Sequence, residues 1–432
     1  MQHLIQHFTR LFHRYASLCI LVWITLLALM ALAQKYIWAT TNGAELGGFE
    51  RNVLYGILQV LDRGGLYFNP KQAPHSIIQY NPLYYYITAF MVKAMGIDYR
   101  QDVHLVYTVG RIFNLILTLF SAVLLFRLLR LFSVVSKLSW ALAALWFALA
   151  AQGFISARPD TLKHVFFVMT VLSTVYYVNT KSNFWLFFSY LCAFLAFFTK
   201  QDGLIAFGIP LGLFFIYGEW RKLILSAFTL GFALLIAVLF MNHITQGYYA
   251  ENVVGGLKNG ISLSWFYGTF SNFFVANVWV LAPALWWGVC QLASDKVKTT
   301  LALGILISFF LPLIFALKYG SAPNYFNECI FLAFVSLGII IQQFRGNYAP
   351  GQSLSPLWLF GVLLITFMTM FTFVTGVFLN NEQQLGADRV TQQDVCKQVQ
   401  KRLHEQEYVL CLISKQWEDH CTNYLYNYAF TP

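Results

Sequence analysis

The 432-residue chain is 58% hydrophobic and 18% aromatic, and only 11% of its residues are charged. A soluble globular domain carries roughly 25% charged residues, so the composition excludes one and predicts a polytopic membrane protein. The net charge of +10 does not mark a nucleic-acid binder, because the basic residues are scattered among short loops and gather on no single face.

Apolar runs centre on residues 17–34, 105–126, 138–152, 162–178, 184–199, 203–217, 223–241, 275–293, 299–317, 326–342 and 357–379. Read at membrane-helix length, they predict an all-α bundle of about 11 transmembrane helices. Arg10 and Arg14 precede the first run without a small-residue cleavage site, which predicts a retained span. The segment PLYYYITAFMVKAM, 82–95, is short and carries Lys93, so it reads as an interfacial helix within a long first outer loop, 35–104. VLYGILQVLDRG, just before it, reads as a short amphipathic surface helix stopped by Gly64 and Gly65. The region 243–264 reads as a glycine-rich loop.

The positive-inside rule supports this threading. It places Arg10, Arg14, Arg127, Arg130, Lys137, Lys181, Arg221, Lys222, Lys296, Lys298 and Arg345 on the cytoplasmic side, with only Glu219 and Asp295 for company. The remaining acidic residues fall on the outer side, where polar chemistry is therefore expected. Residues 1–379 read as one membrane domain and 380–432 as a short hydrophilic outer tail, marginal as an independent core. Cys19, Cys192, Cys290 and Cys329 read as apolar fillers, whereas Cys396, Cys411 and Cys421 fall in the tail.

Several outer segments concentrate ionisable groups. The first loop holds Glu45 and Glu50, with Arg51 beside the second; each Glu is a solvated loop residue, a general base or a metal ligand. ARPDTLKH packs Arg158, Asp160, Lys163 and His164 between two apolar runs. Pro159 and Asp160 suit a helix start, which accounts for Asp160 structurally. Arg158 and Lys163 lie opposite to the usual basic bias, as an anion site would. TKQDG repeats the pattern with Lys200, Gln201 and Asp202, and a late group offers Lys318, Asn324, Tyr325 and Glu328. Walker loops, HExxH, CxxC and GxSxG are absent.

An acidic first loop, YxPLYY, an ARPD turn, FTKQ and NYFxE, in that order, resemble the polyprenyl-phosphate-dependent GT-C glycosyltransferases. The likeness is to the branch of bacterial protein O-mannosyltransferases and lipid A aminoarabinose transferases, glycosyltransferase family 39-like. It covers nearly the whole membrane region, and its specificity lies in the ordered set.

The resemblance implies a first-loop acid as base, matched by Glu50 with Tyr67 and Tyr80 following. A further family Asp is replaced by Gly47, which leaves the base open between Glu50 and Glu45. It further implies that Arg158, Lys200, Lys163 and Arg51 hold the donor phosphate. Asp160, Gln201, Asp202, Tyr67, Tyr80, Tyr84, Asn324, Tyr325 and Glu328 would line the substrate pocket, with Asp160 orienting Arg158 and capping its helix. Asp202 stands where a small polar residue is commoner in the family.

The expected reaction is inverting transfer of a sugar from a polyprenyl-monophosphate donor to a hydroxyl of a lipid, glycan or protein acceptor. No cofactor is required, and a divalent metal, Mg or Mn, fits without being demanded. The implied setting is a bacterial inner membrane, with the N-terminus cytoplasmic and the site and C-terminus periplasmic. The alternative is a non-catalytic transporter or binding protein for lipid-linked glycans.

Overall fold

The computed structural model describes residues 2–40, 50–72, 77–150, 152–256 and 260–347. These residues form α1 (Gln2–Thr40), α2 (Glu50–Arg63), α3 (Leu83–Ala94), α4 (Val103–Leu131), α5 (Ser136–Leu149), α6 (Asp160–Thr180) and α7 (Asn183–Thr199). They continue as α8 (Gly208–Ile216), α9 (Trp220–Ile244), α10 (Tyr248–Gly255), α11 (Leu263–Gln291), α12 (Lys296–Ala316) and α13 (Asn327–Asn347). Extended structure among them is limited to one bridge, between Ile261 and Lys318. Local chemistry starts several helices. Asp102 accepts from the His104 N–H at 3.0 Å, and Asp295 accepts from the Lys298 N–H at 2.9 Å, each quenching an unpaired donor of a first turn.

Ten of the eleven expected apolar runs are helical here, and the run at 357–379 lies outside the described residues, as does the tail from 380. Among the described residues, seven helices are long and apolar enough to cross a membrane. Three are shorter: Ser136–Leu149, Asn183–Thr199 and Gln201–Ile216. The count of eleven full spans is therefore not reached among the described residues. The shortening has a local cause, because Ala150 and Lys200 leave the helical region and end α5 and α7. After Lys200 the chain tightens into a 3-10 turn, Gln201–Phe207. Only glycine fits that reversal, since a Cβ on Gly203 would lie 2.3 Å from the Ala196 carbonyl oxygen.

One apolar core runs through the bundle and includes Leu125, Leu129, Phe167, Val171, Ala196, Ile305, Phe331 and Val335. The outer faces of α1 and α9 are exposed and apolar, with Val22, Leu26, Met30, Phe228, Phe232 and Phe240 on them. A lipid environment accommodates such faces, whereas water does not. The chain is an integral membrane protein.

A second core forms at one end of the bundle. Val53, Ile57 and Leu61 of α2 pack with Tyr84, Tyr85 and Val92 of α3, Val106 of α4 and Tyr249 and Val253 of α10. So α2 is not an open surface helix but a buried one, and the region 243–264 is not simply a loop. Tyr249 and Val253 lie four apart on one face of α10, which explains that helix.

Candidate active site

The loops that end α5, α7 and α12 meet the first loop at the same end of the bundle. Glu50 opens α2 and is fully buried. Its carboxylate accepts from the Arg111 Nη2 at 2.7 Å and Nε at 3.1 Å, and from the Ala157 backbone N–H. Arg111, equally buried, comes from the third turn of α4. One bidentate pair thus ties the first loop to α4 and to the turn that carries ARPD. Three residues along α4, Asn114 donates to the Ser156 and Arg158 carbonyls, the latter at 2.9 Å. Gly110 allows this approach, since a Cβ there would sit 2.9 Å from the Ala157 Cβ and 3.2 Å from the Tyr84 hydroxyl.

The remaining charges form an alternating chain. Asp160, the first residue of α6, pairs through Oδ2 with the Arg158 Nε at 3.2 Å. Its Oδ1 accepts from the Lys200 Nζ at 2.7 Å and the Asn324 Nδ2 at 2.6 Å. Lys200 also lies 3.8 Å from Asp202, whose Oδ2 accepts from the Lys163 Nζ at 3.0 Å. Lys163 in turn reaches Glu328 at 3.1 Å. Burial opposes the charge on Lys200, but Asp160 and Asp202 outweigh it and hold its pKa well above the usual lysine value. Arg158 behaves alike: burial works against its charge, and Asp160 and Tyr80 more than offset it.

Aromatic rings and amides frame these ions. The Lys200 ammonium sits 4.7 Å from the Tyr325 ring centre and 5.4 Å from that of Tyr80. Tyr67 donates to the Tyr80 carbonyl at 2.8 Å, and burial raises the Tyr67 phenol well above its usual pKa. Gln201 donates to the Gln79 carbonyl, and Tyr84 is buried against Gly110. Arg51 is half-buried in the first turn of α2. Glu45 lies outside the described residues. No group of three or more His, Cys, Asp and Glu side chains is placed to hold a metal among the described residues.

Several contributors are not predicted by the sequence patterns. Arg111 and Asn114 lie inside an apolar run that reads as a plain span, and a polar residue at such a depth is the signal that finds them. His164, one of four ionisable groups in its cluster, stacks on Trp146 with ring centres 5.9 Å apart and lies 3.9 Å from Glu328. Asn81 accepts from the Tyr249 hydroxyl at 2.9 Å and donates to the Phe197 carbonyl. Asn252 of α10 accepts from the Ile78 N–H and donates to the Phe68 carbonyl, both at 2.9 Å. Nothing local in the sequence marks Asn252, because its partners lie far away in the chain.

No protein-family model matches the chain, and no curated protein matches it by sequence. Solved structures do match. The crystal structure of ArnT from Cupriavidus metallidurans bound to undecaprenyl phosphate superposes with a TM-score of 0.57 at 12% identity, covering 82% of this chain and 65% of that one. The apo form of the same protein gives 0.51 at 14% identity, with 82% and 64% covered. The Archaeoglobus fulgidus oligosaccharyltransferase, in complex with Zn and sulfate, gives 0.50 at 14%, with 76% and 50% covered. The chain thus spans slightly less than two thirds of the length of the ArnT structures. Likeness at such identity is a likeness of fold. Over the described residues the chain is a helical membrane protein whose fold is like that of the ArnT structures.

Proposed function

We propose that this chain is a membrane glycosyltransferase that moves a sugar from a polyprenyl-monophosphate donor to an acceptor hydroxyl. One observation carries the reading. Four segments distant in sequence, namely the first loop, the ARPD turn, TKQDG and the NYFxE group, converge on a buried charge network at one end of a GT-C bundle. Binding of undecaprenyl phosphate by the Cupriavidus ArnT supports the donor class.

In the proposed step a carboxylate takes the acceptor proton, and the alkoxide oxygen attacks the anomeric carbon. The bond from that carbon to the phosphate oxygen breaks on the opposite face, so the configuration inverts and polyprenyl phosphate leaves with the electron pair. Arg158 and Lys200 offset charge growing on the departing phosphate. Glu50 has both oxygens committed to Arg111 and one also to the Ala157 N–H, so it acts as an anchor. The base is then Glu45. The site end faces the periplasmic side of a bacterial inner membrane, because Arg127, Lys137, Lys181, Arg221, Lys222, Lys296 and Lys298 mark the opposite end.

The test is transfer from labelled polyprenyl-phosphate sugars by the purified chain in nanodiscs supplied with cell-envelope acceptors. Wild-type protein is expected to transfer, and Glu45→Gln to lose about 10²–10⁴-fold in rate. Undiminished transfer in Glu45→Gln would reassign the base. Undiminished transfer in both Glu45→Gln and Glu50→Gln would sink the carboxylate mechanism altogether.

A further inference from the structure

A second ordered cluster of charges lies at the opposite end of the bundle. The turn 217–219 between α8 and α9 brings Glu219 between two lysines, Lys222 of α9 and Lys296 at the start of α12. Glu219 takes Lys222 on Oε2 at 2.6 Å and Lys296 on Oε1. Lys222 also donates to the Tyr177 hydroxyl of α6 at 3.1 Å, and the Lys296 ammonium stands 5.0 Å from the Tyr217 ring centre. Tyr217 is held in turn by Thr299, hydroxyl to hydroxyl at 3.0 Å. Gly218, at φ +64°, makes the reversal, and the Glu219 N–H closes it on the Phe214 carbonyl at 2.8 Å.

Two cations share one carboxylate, so these three side chains carry one positive charge in excess. Exposed Arg221 adds a further charge beside them, whereas Lys298 is already paired with Asp295 at 3.1 Å. Donors are in excess too. An ammonium has three N–H groups, of which Lys222 uses two and Lys296 one among the described residues. Both lysine side chains stay open to an approaching group, at 52% and 34% exposure, while the carboxylate between them is only 23% exposed. A basic loop that serves only to orient a chain needs no such fixed geometry.

An apolar strip runs from this cluster along the outside of the bundle. Trp220 and Phe215 pack at right angles, 5.6 Å between ring centres, and both are exposed. Ile224, Leu225 and Phe228 continue the exposed face along α9. Fixed cations with spare donors beside a lipid-facing strip match a glycerophospholipid of net negative charge.

We propose that Lys222 and Lys296 form a binding site for an anionic phospholipid headgroup, in the leaflet at the end opposite the buried charge network, with acyl chains along Trp220, Ile224 and Leu225. The inference does not rest on the donor class proposed above. Glu219 acts as a spacer: it holds the two ammonium groups side by side, and phosphate oxygens add to their remaining donors.

The full chain in detergent is titrated with phosphatidylglycerol, phosphatidylethanolamine and inorganic phosphate, and bound lipid is read by native mass spectrometry. The proposal expects wild-type protein to retain phosphatidylglycerol in preference to phosphatidylethanolamine, whose amine offsets its phosphate. Lys222→Gln combined with Lys296→Gln should weaken phosphatidylglycerol at least about tenfold and leave phosphatidylethanolamine unchanged. Lys222→Arg combined with Lys296→Arg should keep the preference. Glu219→Gln should bind phosphatidylglycerol at least as tightly as wild type, because a competing anion is gone. Equal phosphatidylglycerol affinity in wild type and the double Gln variant would overturn the site, as would equal retention of the two lipids by wild type. Displacement of phosphatidylglycerol by inorganic phosphate at equal concentration would overturn the lipid assignment in favour of a free anion. Parallel loss of both lipids in the double Gln variant would trace binding to the fold of the turn and overturn direct recognition. Weaker phosphatidylglycerol binding in Glu219→Gln would do the same.

Discussion

Arg111 shows how much a single side chain decides in this molecule. It grips both oxygens of Glu50, at 2.7 and 3.1 Å, and neither residue touches solvent appreciably. Removing one member of a buried pair leaves an uncompensated charge, which costs about 3–5 kcal/mol. Arg111→Met is therefore expected to lower thermal stability in detergent by that order. Adding Glu50→Gln to Arg111→Met should restore part of the loss, because the stranded charge is gone. Additive destabilisation in the double variant would contradict a coupled pair. Glu45→Gln, at the proposed base, should instead slow transfer by about 10²–10⁴-fold.

At the scale of elements, the site depends on helices that stop early. The loops after α5 and α7 take the place of further helical turns and carry Arg158, Lys200 and Asp202 inward. α4 supports them by close approach at Gly110, beneath Ala157 and Tyr84. Gly110→Val should push the ARPD turn away from Arg111 and Asn114, destabilising the protein by about 1–3 kcal/mol through overpacking. Gly268→Ala on α11 is the matched comparison, since a Cβ there meets open space. It should be neutral or stabilising by up to about 1 kcal/mol from helix propensity. Thermal unfolding of the two variants side by side checks the argument, and equal effects would remove Gly110 from the site's support. α10 contributes from the other flank, with Asn252 gripping the chain at Phe68 and Ile78.

At the scale of the whole molecule, polarity is divided between the two ends. One end holds the buried network, and the other holds short basic turns in which Glu219 pairs with Lys222 at 2.6 Å and also with Lys296. The positive-inside rule converts that asymmetry into an orientation. Lys137→Cys, Lys181→Cys and Lys298→Cys, each in a background lacking exposed thiols, should react with a membrane-impermeant maleimide only in inverted vesicles. Tyr319→Cys should react in intact cells whose outer membrane has been permeabilised. The reverse pattern would turn the molecule over and take the proposed periplasmic site with it.

The sequence alone was enough for the class of protein and most of its helices, because burial in lipid imposes long apolar runs that composition reveals directly. It also isolated Arg158, Asp160, Lys163, Lys200, Asp202, Asn324 and Glu328, since ionisable groups are scarce enough in this chain for each cluster to stand out. Pairing was not legible there. Whether a cation is free or already neutralised depends on groups brought from far along the chain. Asn324 meets Asp160 across 164 positions, and Glu328 meets Lys163 across a similar span. Arg111 stayed hidden inside an apolar run, and Asn252 inside a segment with the composition of a loop. Only the tertiary structure decided which carboxylate each of Arg111, Arg158, Lys163 and Lys200 meets. The physical reason is range: hydrophobicity is a property of each residue in its own segment, whereas electrostatic compensation belongs to pairs that folding alone assembles.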